Sequence, residues 1–290
     1  MTEHGLDNLT PFSAPSARMD FASWFDSAHN FASRSPIDEF LENVHAINQL
    51  YLQAEDRNEY KTMLGSLVFL GLMSAAEGYF RSLLRRLILV DEVCKANASP
   101  RSVTYGAAIH HSSELLPEAL LEAISFASSK AVKKELNDLC GISIPAELES
   151  LLDVFDKICQ IRHCGIHRFG KLGSQQAFQL DIDNSLLEKP LKLSVAQLQD
   201  IAEALEAVVR GVNSHAFADV VKRSHRNSPA GRERKLKYAR SWELNFDADR
   251  DRFVQYYSIF ASTLGSNRSQ SIESVYQSFM EFVRRYDRVP

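Results

Sequence analysis

DVFDKICQIRHCGIHRFGK, running from Asp153 to Lys171, is the stretch on which the fold turns. Phe155, Ile158, Cys159 and Ile166 recur at helical spacing and predict an apolar stripe along one helix face. Arg162 falls in the middle of that stripe, and His163 and His167, four apart, lie along one edge of it. A guanidinium keeps its proton in a protein, so burying one without a partner is costly. The sequence therefore asks for an anion opposite Arg162, or for a second copy of the same helix facing it.

Around this helix the chain has 290 residues, 45% of them hydrophobic, which is enough for a sizeable core. No uninterrupted apolar run reaches the roughly 18 residues of a membrane span, so no membrane association is expected. The first residues, MTEHGLDNLTPFSAPSAR, lack a basic segment followed by an apolar one, so no secretory signal is read. Cys94, Cys140, Cys159 and Cys164 show no CxxC spacing and read as free thiols of a cytoplasmic protein. A net charge of −4 excludes a global nucleic-acid footprint, leaving only a local anion-binding patch.

In chain order, residues 1–35 read as a polar arm followed by a short helix. Phe21, Trp24, Phe25, Ala28 and Phe31 would dock that helix on the main body. Ser35-Pro36 starts a helix carrying Phe40, Leu41, Val44 and Ile47. From about 59 to 94 a long helix, apolar nearly all round, is the expected central element; Gly65, Gly71, Ser74 and Gly78 would admit close helix contact. Glu77 within it needs a polar partner, Arg81 or Arg162. Residues 97–113 read as a loop, with His110-His111 at a solvated end. Helices follow at about 115–127 and 130–140, the second closed by Gly141. Alternation at Ala177–Ile182, answered at Leu191–Leu193, predicts a short flap or hairpin over 174–193. Ser194 then caps a long helix. Residues 222–240 form a basic run, either a solvated hinge or a phosphate track. Two amphipathic helices, one with Phe253, Tyr256, Tyr257 and Phe260, the other with Ile272, Val275, Tyr276, Phe279, Phe282 and Val283, complete the chain. They are expected to pack on the main body or on a partner.

The chemistry of the focal helix narrows by geometry. His163 and His167 have the i, i+4 spacing of zinc ligands, but Cys164 stands where a zinc helix carries glutamate, and no third ligand has matching spacing, so no metal and no cofactor are expected. Cys164 is adjacent to His163, and neighbours on a helix do not face each other, which argues against a nucleophile–base dyad. Phosphate chemistry fits better. Arginine offers a planar fork for phosphate oxygens, and histidine moves protons near neutrality. Together they can cleave RNA without a metal: histidine accepts the 2′-OH proton or protonates the leaving oxygen, and arginine stabilises charge on phosphorus. Positions five apart are rotated by roughly 140° on an ideal helix. One helix alone would not aim both groups at one atom. Loosening at Gly165, or two-fold pairing of two helices, would supply the geometry.

Arg162-His163-Cys164-Gly165-Ile166-His167 resembles the Arg-x4-His signature of the HEPN superfamily, all-helical domains many of which are metal-independent endoribonucleases of toxin–antitoxin, CRISPR and antiphage systems. The resemblance covers roughly residues 36–222. It implies an all-α fold: a four- to five-helix bundle with a short flap after the signature helix, and extra helices at both ends, residues 223–290 forming the basic linker and helical pair. It implies catalysis by Arg162 and His167 at a homodimer cleft, support from His163, and phosphate contacts from Arg168 and Lys171. Glu77 would be structural. The implied partners are RNA, a second copy and a regulatory antitoxin or accessory chain; the alternative is an inactive RNA- or protein-binding module of the same fold.

Overall fold

The computed structural model describes residues 19–26, 28, 34–225, 242–265 and 267–287, with Tyr286 and Asp287 described by their backbone alone. The chain forms two units, residues 1–33 and 34–290. In the first, the expected amphipathic helix is replaced by one 3-10 turn, Phe21–Trp24, opened by the Asp20 carboxylate accepting from the Ala22 amide. Phe21, Trp24 and Phe25 are exposed, and Phe31 lies outside the described residues. The turn closes because the Phe25 amide already bonds back to the Ala22 carbonyl, and Phe25 itself is extended.

The second unit is helical throughout its described residues, with one isolated bridge, Lys171 to Pro190, and no strand. Its helices are α1 (Pro36–Asp56), α2 (Thr62–Val90), α3 (Glu92–Ala98), α4 (Tyr105–His110), α5 (Leu116–Leu121), α6 (Ser129–Cys140), α7 (Glu149–His167), α8 (Ser174–Leu180), α9 (Val195–Arg223), α10 (Phe246–Phe260) and α11 (Ile272–Asp287). The fold is all-α, as expected. Boundaries follow capping chemistry. Ser35 accepts from the Asp38 amide with Pro36 at the first helical position; Ser194 and Gln197 form a reciprocal capping box; Gly141 closes α6 in the left-handed conformation.

Three boundaries differ from the sequence reading. The long helix stops at Val90 because Asp91 is extended, with its carboxylate accepting from the Cys94 amide to open α3. The supposed 97–113 loop contains α4, opened by Thr104. The helix expected over 115–127 is the single short α5. The signature helix begins after a 3-10 turn at Ala146–Leu148 that follows Pro145.

α2 is the axis of the bundle, packing against α1, α3, α5, α6, α7, α9 and α10. Phe69, Leu72, Met73, Tyr79, Phe80, Leu83, Leu84 and Leu87 are fully buried along it. Phe80 meets Tyr79 and Phe155 edge to face at 5.2 and 5.9 Å between ring centroids, which ties α2 to the signature helix α7. α2 is long and apolar enough to cross a bilayer, but half of the qualifying window is buried in the bundle, the pattern of a core helix. Of its small residues, Gly71 does admit a neighbour, since a Cβ there would sit 3.3 Å from Ile47 Cδ1. Ser74 and Gly78 instead face outward, and nothing lies within 4 Å of a Cβ built on Gly78.

α10 packs on α9, α2 and α1, and α11 on α10 and α9. Trp242, Phe253, Tyr276 and Phe279 form a contiguous aromatic cluster between them. Of the basic run, residues 226–241 lie outside the described residues, but its start does not behave as a hinge. Arg223, the last residue of α9, is fully buried, donating to Asp91 Oδ1 at 2.7 Å and to the Cys140 carbonyl.

Candidate functional site

The site is built where α7 passes α2. Gly165 lets the helices approach: a Cβ there would come within 3.2 Å of Leu70 Cδ2. The stripe of Phe155, Ile158 and Cys159 is buried as expected, and Ile166 is half exposed. Arg162 turns to α2 and pairs with Glu77, Nη2 to Oε1 at 2.7 Å, the two side chains being 23% and 16% exposed. One carboxylate occupies one corner of the guanidinium fork, and part of the remainder reaches solvent. Of the two partners expected for Glu77, Arg162 is the one found; Arg81 instead donates to the Leu121 and Ile124 carbonyls.

His163 and His167 are exposed, with ring centroids 4.5 Å apart and planes at 45°. The helix brings the two imidazoles together, while the guanidinium turns to Glu77 on α2. Cys164 is buried and faces away from this surface. Cys159 is unsuited to nucleophilic work as well: burial, with Asp156 adding to it, pushes its thiol up to about 12. Among the described residues, no three His, Cys, Asp or Glu side chains gather closely enough to hold a metal ion.

The end of α7 is firmly closed. The Arg168 and Gly170 amides both donate to the Cys164 carbonyl, at 3.1 and 2.9 Å. Between them Phe169 takes a left-handed backbone, φ +52°, the position glycine usually fills after a helix. For a residue with a bulky side chain this costs about 1–3 kcal/mol. Yet the ring is 78% exposed, so the roughly 1.5–3 kcal/mol that burying it would contribute is also forgone.

Beyond it the flap is tied down by backbone bonds from Leu172 to Lys189, Glu188 to Leu172 and Leu191 to Gly170, at 3.1, 3.1 and 2.8 Å. The hairpin reading is corrected here: residues 174–180 are α8, and one bridge remains. Ala177 and Leu180 are three apart, so the alternation that suggested a strand serves a short helix equally well, and left-handed Asp181 ends it.

Arg168 is exposed and pairs with Glu188; its stem runs over Gly173, where a Cβ would lie 3.2 Å from Arg168 Cδ. Lys171 is exposed on the same flap. Phe178, on α8, is 89% exposed beside buried Gln176 and Ala177. The sequence reading passed over Phe169 and Phe178. The only available signal was an aromatic residue set between Arg168 and Gly170, just after the last periodic helix position. No family model matches this chain, no curated protein matches it, and no solved structure matches it.

Proposed function

We propose that the α7 terminus is a metal-independent RNA-cleaving site in which Arg162 and His167 act on the scissile phosphate and His163 supports them. The observation that carries it is a partly exposed guanidinium, fixed by Glu77, on the same C-terminal end of α7 as two exposed imidazoles packed on each other. An in-line displacement at phosphorus puts the attacking and leaving oxygens on opposite sides. The base and the acid must therefore straddle the phosphate. Two rings 4.5 Å apart are packed on each other and cannot do so, which makes one copy supply one side and a second copy the other. Each two-fold related pair of sites would then hold both an arginine and a histidine from each chain. On this reading the protein is a cytoplasmic toxin or antiphage-defence effector that works as a homodimer, with an antitoxin or accessory chain as its natural restraint.

The test is cleavage of single-stranded RNA in EDTA by wild type, Arg162→Ala and His167→Ala. Each variant should lose 100-fold or more of the rate, on the order expected for a group stabilising or moving charge in the transition state. Mixing the two inactive variants should restore no activity, because a heterodimer keeps only one His167 where one is needed from each copy. Undiminished cutting by both variants removes the mechanism.

A second reading has its own observation. The Arg162–Glu77 pair satisfies the arginine within one chain, as a purely structural residue would be. The domain would then be a non-catalytic module that binds RNA or protein, and wild type would bind RNA without yielding products.

A further inference from the structure

We infer that Ser125 is a positioning residue for Arg162: by engaging one oxygen of Glu77 it keeps that carboxylate on a single corner of the guanidinium and leaves the other donors open to an anion. That the anion is a scissile phosphate rests on the proposed function; the positioning does not. A guanidinium is a planar fork, and a carboxylate with both oxygens free closes on it through two parallel bonds. Here the two oxygens of Glu77 are divided. Oε1 meets Arg162 Nη2 at 2.7 Å, while Oε2 accepts from the Ser125 hydroxyl at 3.4 Å.

The segment that carries Ser125 follows α5 and is anchored on both sides of it. Arg81, one helical turn beyond Glu77 on α2, donates to the Leu121 carbonyl and, at 2.8 Å, to the Ile124 carbonyl. Its guanidinium also lies 5.7 Å from the centroid of the Phe126 ring, which is fully buried beside Phe80. A hydroxyl bond of 3.4 Å is near the outer limit of its kind. It persists only where the backbone fixes the donor, and the residues before and after Ser125 are both held. Glu77 and Arg81 are four apart, so one face of α2 presents both the carboxylate and the cation that brings a hydroxyl to it.

Ser125 is exposed, and the side chains of Glu77 and Arg162 are only partly covered, so the hydroxyl contributes little to the fold. Its effect falls on the guanidinium. With Oε2 released, Glu77 would turn to grip two donors of the fork. An incoming anion would then have to displace a bidentate carboxylate instead of joining a monodentate one.

Side-chain NMR of the full chain reads the positioning without reference to catalysis. Exchange of the Arg162 guanidinium protons with water should slow several-fold in Ser125→Ala, as the second oxygen covers donors that solvent reaches in wild type. Ser125→Thr keeps the hydroxyl and should exchange as wild type does. The melting temperatures of all three proteins should agree. In the RNA cleavage assay, Ser125→Ala should lower kcat about tenfold with KM little changed, on the order of one hydrogen bond withdrawn from the transition state, and Ser125→Thr should restore it.

Guanidinium exchange in Ser125→Ala equal to that of wild type overturns the positioning. So does equal slowing in Ser125→Thr, because the effect would then come from the backbone of the segment and not from the hydroxyl. The two proposals fail separately. Slowed exchange in Ser125→Ala, with no cleavage by wild type in EDTA, sinks the nuclease and leaves the positioning. Cleavage that depends on Arg162 and His167, with exchange and rate unchanged in Ser125→Ala, does the reverse.

Discussion

Two arginines divide the work that the sequence had assigned to one. Arg162 drew attention because it interrupts an apolar stripe, yet it keeps a share of solvent and one carboxylate. Arg223, read as the start of a solvated basic run, is the guanidinium without solvent. It is held by Asp91, the Cys140 carbonyl and Asp219, with Cys94 Sγ at 3.6 Å. Burial opposes its charge, but Asp91 and the other groups around it outweigh that and hold it above the usual arginine range. Asp91 also caps α3, so the pair joins the end of α9 to the break after α2. Arg223→Met should therefore cost about 3–5 kcal/mol, since it leaves a buried carboxylate uncompensated. Arg162→Met should cost distinctly less. Urea unfolding of both variants checks this; equal losses would make Arg162 a structural residue and weaken the catalytic reading.

At the level of elements, one buried carboxylate adds a polar clamp to the packing of the C-terminal helices on the bundle. Asp38, in the first turn of α1, is buried and accepts from Ser262 Oγ, from the Thr263 amide and from Thr263 Oγ1 at 2.7–3.1 Å. It thereby fixes the turn after α10 and, through it, the approach of α11. Hydrogen bonds to a charged acceptor contribute about 1.5–3 kcal/mol each at most, and they share one carboxylate here. Asp38→Ala should destabilise the protein by about 2–4 kcal/mol and speed amide exchange first at Ser262 and Thr263. Uniform exchange across the chain, with no early opening at that turn, would show that the aromatic cluster of Trp242, Phe253, Tyr276 and Phe279 holds the region without the clamp. Asp38 is also what the helical pattern could not reveal: it reads as an ordinary first-turn acid, favourable to the helix dipole, and its partners lie more than two hundred positions away.

For the whole molecule, burial makes stability fall on the alkaline side. The Cys159 thiol is pushed from 9.0 to about 12, and the Tyr256 hydroxyl from 10.0 to about 12, both chiefly by removal from water. In each case the fold keeps the proton that the unfolded chain releases. Their contribution is complete below pH 9 and is withdrawn as the pH rises toward 12. By pH 10 the loss should be about 2 kcal/mol. Urea midpoints measured at pH 8, 9 and 10 should decline accordingly; a flat profile would mean that these groups reach solvent in the folded protein. The same burial makes Cys159 resistant to alkylation until the bundle opens.

The sequence by itself determined the helical class, the α1 and α9 caps, the buried stripe of α7 and the amphipathic faces of α10 and α11. These depend on local periodicity and on side chains reaching their own backbone, and both are written within a few turns of chain. Only the tertiary structure decided that Glu77 meets Arg162, that Arg223 is interior, that α2 breaks at Asp91 and that Phe169 stands out in solvent. Those outcomes depend on which helices come to lie side by side. A charge carries no mark of its distant partner, and a six-residue apolar alternation suits a strand or a short helix until its neighbours choose between them.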